Sequence, residues 1–106
     1  MSLNRPPVTP WIDRSGTITT GGTAQQLMPA NYTRIGVFIQ NLHATETLWI
    51  KMKSANGTDA QVGTPGNIAI PANNGVLLLS GYTDPGIISV VAATAGHAFT
   101  AAEWGA

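Results

Sequence analysis

The chain is a series of short apolar runs separated by turn residues. The run RIGVFIQNL at 34–42 carries apolar side chains on both alternating faces, as a central strand covered on both sides does. The next run, TLWIKM at 47–52, alternates more clearly, with Trp49 and Lys51 opposite its aliphatic positions. No window shows a sustained helical spacing of apolar residues bounded by caps, so we expect no helix longer than a single turn.

Glycine, asparagine and proline residues punctuate the chain between further runs of this kind. The predicted strands cover residues 17–20, 24–28, 34–42, 47–52, 67–70, 76–80, 87–92 and 97–104. Short strands in this number, with turn residues between them, are typical of an all-β fold. We therefore predict a single-domain antiparallel β-sandwich or jelly roll of seven or eight short strands.

The closing stretch, ATAGHAFTAAEW at 93–104, is compatible with a helix or with a strand. Thr100 and Glu103 match a capping box, the pair that starts many helices. Too few residues follow Glu103 for a stable helix. We predict instead that this stretch turns back and pairs with the run at 87–92 as a hairpin.

Residues 1–16 differ from the rest of the chain, and we assign them to an extended N-terminal arm that precedes the β-sandwich domain at 17–106. Three prolines oppose regular structure there. The arm is either a disordered terminus or a segment that docks Trp11 and Ile12 on a neighbouring subunit; disordered segments rarely carry such residues. The start of the chain lacks the apolar core of a signal peptide and no run reaches transmembrane length, so we expect a soluble protein without a membrane partner.

The charge content is unusually low. Charged residues make up 9% of the chain and the net charge is zero, whereas about 25% is usual for soluble domains. A free monomer usually keeps a well-charged surface, so this composition favours an oligomer or a larger assembly. It also opposes nucleic-acid binding, because no basic stripe is present to neutralise phosphates.

Candidate chemistry is sparse. The chain has no cysteine, which excludes disulfides and thiolate metal sites. His43 and His97 lie beside predicted turns, where we expect solvated side chains, and no acidic residue lies at metal-ligand spacing from them. His97 and Glu103 cannot form an acid–base pair within the predicted strand, because they would lie roughly 20 Å apart. We predict no metal, no cofactor and no enzymatic activity.

The three tryptophans are the remaining candidates for a binding role. Trp49 on a sheet face could stack on a sugar ring, with Gln40, Asn41 and Asn56 as possible hydroxyl partners. Packing of tryptophans in cores or subunit contacts is more common. Trp11, Ile12 and Trp104 are our candidates for a subunit interface.

Several of these stretches resemble small β-sandwich proteins encoded by tailed bacteriophages and prophages. The resemblance runs from about residue 23 to residue 104 and is carried by RIGVFIQN, TLWIKM, IAIPANNG and ATAGHAFTAAEW. These motifs are structural rather than catalytic. What the resemblance implies is a virion component, either a capsid decoration (cement) protein or a tail accessory protein.

On this basis we expect a capsid decoration protein that forms a homotrimer and binds the major capsid protein or another virion protein. Its location would be the virion, assembled in the bacterial cytoplasm. We expect Arg34, Gln40 and Asn41 to fix the fold by bonding backbone groups in turns. The alternative is a tail accessory module that binds a glycan or receptor, with Trp49 as the glycan contact.

Overall fold

The structure is a computed structural model that describes residues 11–53, 57–81 and 84–105, and nine β-strands lie within these ranges. The strands are β1 (Trp11–Asp13), β2 (Gly16–Thr17), β3 (Gln25–Met28), β4 (Arg34–Asn41), β5 (Leu48–Lys53), β6 (Ile68–Ile70), β7 (Val76–Ser80), β8 (Ile87–Val91) and β9 (Ala98–Gly105). The prediction of an all-β fold is confirmed. Over the described ranges there is no helix long and apolar enough to cross a membrane.

The strands form two antiparallel sheets. The first sheet has the order β1-β9-β4-β7, with β2 also paired to β9, and the second has the order β3-β8-β5-β6. This is the predicted antiparallel sandwich in a single domain, although with nine strands instead of seven or eight. The predicted strand positions agree with the observed ones to within a few residues.

The core lies between the two sheets and follows the alternation of the strands. Inward residues of both sheets are fully or almost fully buried and include Val37, Ile39, Leu48, Ile50, Ile88, Val90, Phe99 and Ala101. Each fully buried aliphatic side chain of this kind contributes about 1.5–3 kcal/mol relative to an exposed one. The apolar runs of the central strands therefore hold the two sheets together.

The predicted hairpin between the last two strands is wrong. β8 lies in the second sheet and β9 in the first, where it pairs with β4. The connection at 92–97 bonds to the chain after β2: Gly96 N–H donates to Ile18 O (2.7 Å), and Ile18 N–H donates to His97 O (3.0 Å). Its backbone groups are therefore used in a crossing between sheets, and not in a hairpin turn.

The start of the described chain belongs to the first sheet. β1 pairs with β9 so that Trp11 lies opposite Trp104, and β2 places Gly16 opposite Phe99. Residues 11–16, which were assigned to the arm, thus form the edge of the sandwich within the same chain. Residues 1–10 lie outside the described residues.

Candidate functional site

Two buried polar clusters lie at opposite ends of the β4–β9 pair. These strands are antiparallel, with Arg34 opposite Gly105 at one end and Asn41 opposite Phe99 at the other. We call the first the Glu103 cluster; it contains Arg14, Asn31, Arg34 and Glu103. We call the second the His97 cluster; it contains Asn41, His43, Glu46, Thr94 and His97.

Glu103 is the centre of the first cluster. Its side chain is fully buried at an inward position of β9. Oε1 accepts hydrogen bonds from Arg34 Nε and Asn31 Nδ2, both at 3.0 Å, and Oε2 accepts one from Arg14 Nε at 2.8 Å. Burial raises the pKa of Glu103, but the bonds from Asn31, Arg34 and Arg14 outweigh it and hold the pKa below its usual value. The carboxylate therefore stays charged and has no free oxygen for acid–base chemistry.

Arg34 extends this cluster to two loops. Its Nη1 donates to Asp84 O (2.7 Å) and Gly86 O (2.9 Å), and its Nη2 donates to Pro29 O (2.7 Å). The guanidinium therefore joins the loop after β3 to the loop before β8. A buried arginine with several acceptors in fixed directions holds such backbone segments in place.

The hydrogen bonds of Asn41 fix the orientation of its side-chain amide in the His97 cluster. Its Nδ2 donates to Glu46 O (2.8 Å) and Ile70 O (2.9 Å), so its Oδ1 is the atom that faces His97 Nε2 at 2.7 Å. The other ring nitrogen, Nδ1, lies 2.8 Å from Glu46 Oε1. Each ring nitrogen of His97 therefore faces an oxygen atom that can accept a hydrogen bond.

Glu46 completes this arrangement. Hydrogen bonds from His97 and Thr94 lower the pKa of Glu46, so its carboxylate is charged at neutral pH. Thr94 Oγ1 donates to Glu46 Oε2 at 2.7 Å. The prediction that His97 is a solvated loop residue is wrong, because it is 1% exposed beneath these partners. The cluster links the β4–β5 loop to the crossing between the sheets.

His43, Glu46 and His97 also place three metal-ligand atoms within 4.8 Å of one another. Sequence spacing did not reveal this, because the two loops meet only in the folded chain. His43 Nδ1 accepts from the backbone N–H groups of Thr45 (3.1 Å) and Glu46 (3.0 Å), so Nε2 carries the proton of the neutral ring. The two rings stack with centroids 4.7 Å apart. Two imidazoles and a carboxylate are a donor set that zinc uses, but in this structure His97 Nδ1 and Glu46 Oε1 lie 2.8 Å apart as hydrogen-bond partners, so the residues form a hydrogen-bonded link.

The outward side of the first sheet carries an apolar surface. We call it the outer face; it consists of Trp11, Phe38, Val76, Leu78 and Trp104. The indoles of Trp11 and Trp104 stack with centroids 5.4 Å apart at an interplanar angle of 4°. The ring centroids of Trp11 and Phe38 lie 6.2 Å apart. Trp11 remains 61% exposed.

The far half of the outer face lies on β4 and β7. Phe38 lies opposite Leu78 in the register, and Gln40 lies opposite Val76. Leu78 is 59% exposed and Val76 is 49% exposed. The described strands β1, β9, β4 and β7 carry one charged residue at their outward positions, which is Asp13 on β1.

The outward side of the second sheet is partly covered. Ala60, in the loop at 57–67, is 4% exposed and its N–H donates to Ser89 Oγ at 3.0 Å. Trp49 lies on this side, opposite Ala69 and Val91, and is half-buried. Part of the outward side of the second sheet is therefore covered, whereas Val76 and Leu78 on the outward side of the first sheet are exposed.

The polar residues predicted to accompany Trp49 do not meet it. Gln40 is half-buried at an outward position of the first sheet, and Asn41 is buried in the His97 cluster. Asn56 lies outside the described residues. The grouping predicted for a glycan site is thus wrong for Gln40 and Asn41.

The predicted interface residues separate in a similar way. Trp11 and Trp104 lie together on the outer face, whereas Ile12 lies opposite Glu103 on the inward side of β1. Sequence reasoning singled out Arg34 and Asn41 as structural residues but missed their buried side-chain partners Glu103 and His97. Glu103 shares an inward-facing set with Phe99 and Ala101, and a charged residue at such a position requires buried partners. That signal could have indicated the first cluster.

Comparisons with known proteins identify no relative. No protein-family model matches the chain, and no curated protein or solved structure shows a significant match.

Proposed function

We propose that this chain is a capsid decoration protein of a tailed bacteriophage, which self-associates and stabilises the assembled head by binding the major capsid protein. The observation that carries the proposal is the open, almost uncharged outer face of the first sheet. The resemblance of its motifs to small virion proteins of such phages supports the same function.

The composition of the outer face suits a permanent contact. Exposed apolar patches of this kind mark interaction surfaces, and aromatic residues are enriched at the centres of protein interfaces. The stacked Trp11 and Trp104 form a rigid aromatic ridge whose burial would add a large apolar area to an interface. Because Asp13 is the one charged residue at a described outward position of the first sheet, binding would depend little on salt.

The two polar clusters support a structural role. The carboxylate of Glu103 and the ring of His97 are enclosed, and their polar atoms are already hydrogen-bonded. Each cluster fixes loops at one end of the sandwich. A domain with both ends held in this way presents its open face in one shape, which lowers the entropy cost of binding.

Co-sedimentation with heads tests the proposal. Expanded empty heads of the phage that encodes the chain are mixed with the purified protein, and we expect saturable binding with a fixed number of copies per head. Trp11→Ala should weaken this binding at least about tenfold, the effect of removing an aromatic interface anchor. Tyr32→Ala is the matched control, since Tyr32 is an 86% exposed aromatic residue outside the outer face.

Failure to bind heads under any condition would exclude the decoration function. Binding to purified tails in place of heads would identify a tail accessory protein. Equal loss of binding in Trp11→Ala and Tyr32→Ala would remove the outer face as the contact surface.

A further inference from the structure

β7 is an open edge of the first sheet. It pairs with β4 on one side, and no described strand pairs with its other side. Strand edges present unpaired N–H and C=O groups that can pair with another chain. The edge of β7 is therefore a second feature of the surface, distinct from the side-chain surface of the outer face.

The hydrogen bonds that flank β7 establish which groups are open. Asn41 N–H donates to Gly75 O and Gly81 N–H donates to Ile35 O, both at 2.9 Å. In an antiparallel pair the bonded positions alternate, so Leu77 and Leu79 direct their backbone groups to β4. The N–H and C=O groups of the alternate residues point to the open edge; these residues are Val76, Leu78 and Ser80.

We infer that β7 pairs with β7 of a second copy of this chain, antiparallel and about a two-fold axis at Leu78. This register places Leu78 opposite Leu78 of the second copy, and Val76 opposite Ser80 of the second copy. Each of these pairs exchanges two N–H···O=C bonds. Every open backbone group of β7 then has a partner, so the edge is self-complementary as a two-fold contact requires.

The side chains of β7 favour the same occupant. The strand reads VLLLS and contains none of the charges or prolines that protect exposed edges from pairing. Leu78 of each copy would continue the outer face across the axis. The net charge of the chain is zero, so two copies approach without long-range repulsion.

Both ends of β7 are held in place before any pairing. Asn73 and Asn74 adopt positive φ angles of 62° and 70°, and their N–H groups donate to His43 O and Asn41 O. Gly81 ends the strand with a φ of 93°. A preformed edge loses little conformational freedom on pairing.

The contact closes at two copies, so it differs from the homotrimer expected from the resemblance. It requires no capsid, and its failure would leave binding of the outer face to a head unaffected. Sedimentation equilibrium of the purified chain should give twice the chain mass.

A charge-swap pair tests the two-fold register. Leu78 is exposed and its N–H is not bonded to β4, so Leu78→Lys and Leu78→Glu should fold as the wild type does. Each variant alone places like charges opposite each other and should associate at least about tenfold more weakly. An equimolar mixture of the two places opposite charges there and should restore the doubled mass.

Val62→Lys is the matched control, because Val62 is an exposed apolar residue in a loop of the second sheet. It should leave the doubled mass unchanged. Three results would each overturn the inference. The wild type could be monomeric, or it could have three times the chain mass and keep that mass in Leu78→Lys. The equimolar mixture of Leu78→Lys and Leu78→Glu could also stay monomeric.

Hydrogen exchange of the wild type provides a measurement that needs no variant. The amides of Val76, Leu78 and Ser80 should be protected at high protein concentration and should exchange faster on dilution. Unprotected amides at a concentration where the mass is doubled would place the contact elsewhere on the chain.

Discussion

Trp104, near the end of the last strand, stacks in parallel on Trp11 of the first strand, with ring centroids 5.4 Å apart. The two residues lie directly opposite each other in the β1–β9 register. β1 has only three residues, and this stack is one of the side-chain contacts that hold it to the sheet. The tryptophans assigned to a subunit interface therefore contact each other within the chain, while the exposed side of Trp11 remains open to a partner.

Gly36→Ala should destabilise the sandwich. Gly36 lies opposite Trp104, and a Cβ at this position would overlap the indole. Displacing a packed aromatic ring costs about 1–3 kcal/mol. Urea unfolding should show this loss in the free energy of unfolding. Ser80→Ala, an exposed outward position on the same sheet, is the control and should change stability by less than about 0.5 kcal/mol.

A double mutant shows whether the ring is the cause. Combining Gly36→Ala with Trp104→Ala removes the overlap, so the two costs should not add. Fully additive costs would mean that the alanine acts on the backbone and not through the indole.

Hydrophobic alternation alone was sufficient to predict the fold class and most strand positions. It could not predict which sheet each strand joins, because an inward-facing pattern is the same in either sheet. β9 pairs with β4 in the first sheet, and the connection before it bonds to Ile18, which is distant in sequence. β1 was missed because it is three residues long and follows a proline-rich stretch.

The polar clusters were hidden from the sequence for a related reason. Glu46 and His97 are far apart along the chain, and so are Arg14 and Glu103. Spacing arguments detect ligands or catalytic pairs on one element, but these pairs join different loops and strands. The sequence pattern can show that a charged residue occupies an inward position of a strand, but it cannot show which residues form hydrogen bonds to it.

Glu103→Gln should strongly destabilise the protein. The substitution removes the buried negative charge to which Arg34 and Arg14 are both ion-paired. Removing one partner of a buried ion pair costs about 3–5 kcal/mol, and chemical denaturation should measure a loss of this size. Asp59→Asn is the control: Asp59 is an exposed partner of Lys53, and its substitution should cost less than about 1 kcal/mol. Similar losses in both variants would contradict the central role of Glu103.

Stability should decrease as the pH falls below the usual glutamate pKa of 4.5. The native state holds the pKa values of Glu103 and Glu46 below this value, so the unfolded chain takes up protons at a higher pH than the folded chain does. The stabilisation by these carboxylates is therefore complete above the unfolded pKa and is lost as the pH falls through the folded one. Thermal unfolding across acidic pH values measures the effect. Glu103→Gln should flatten the dependence; an unchanged slope would show that other groups cause it.

Asn41→Asp should destabilise the His97 cluster although the two side chains have nearly the same shape. Nδ2 of Asn41 donates to the carbonyl oxygens of Glu46 and Ile70. A carboxylate oxygen at that position can only accept, so it would face two acceptors in a buried site and repel them. We expect a loss of about 3 kcal/mol or more in the free energy of unfolding.

Asn67→Asp is the matched control for this change. Asn67 Nδ2 also donates to a backbone carbonyl, that of Thr64, but it does so at the surface. Water can solvate the new carboxylate there, so the cost should stay below about 1 kcal/mol. If both aspartate variants lose the same stability, the burial of Asn41 between His97 and the two carbonyls is not what holds this end of the sandwich.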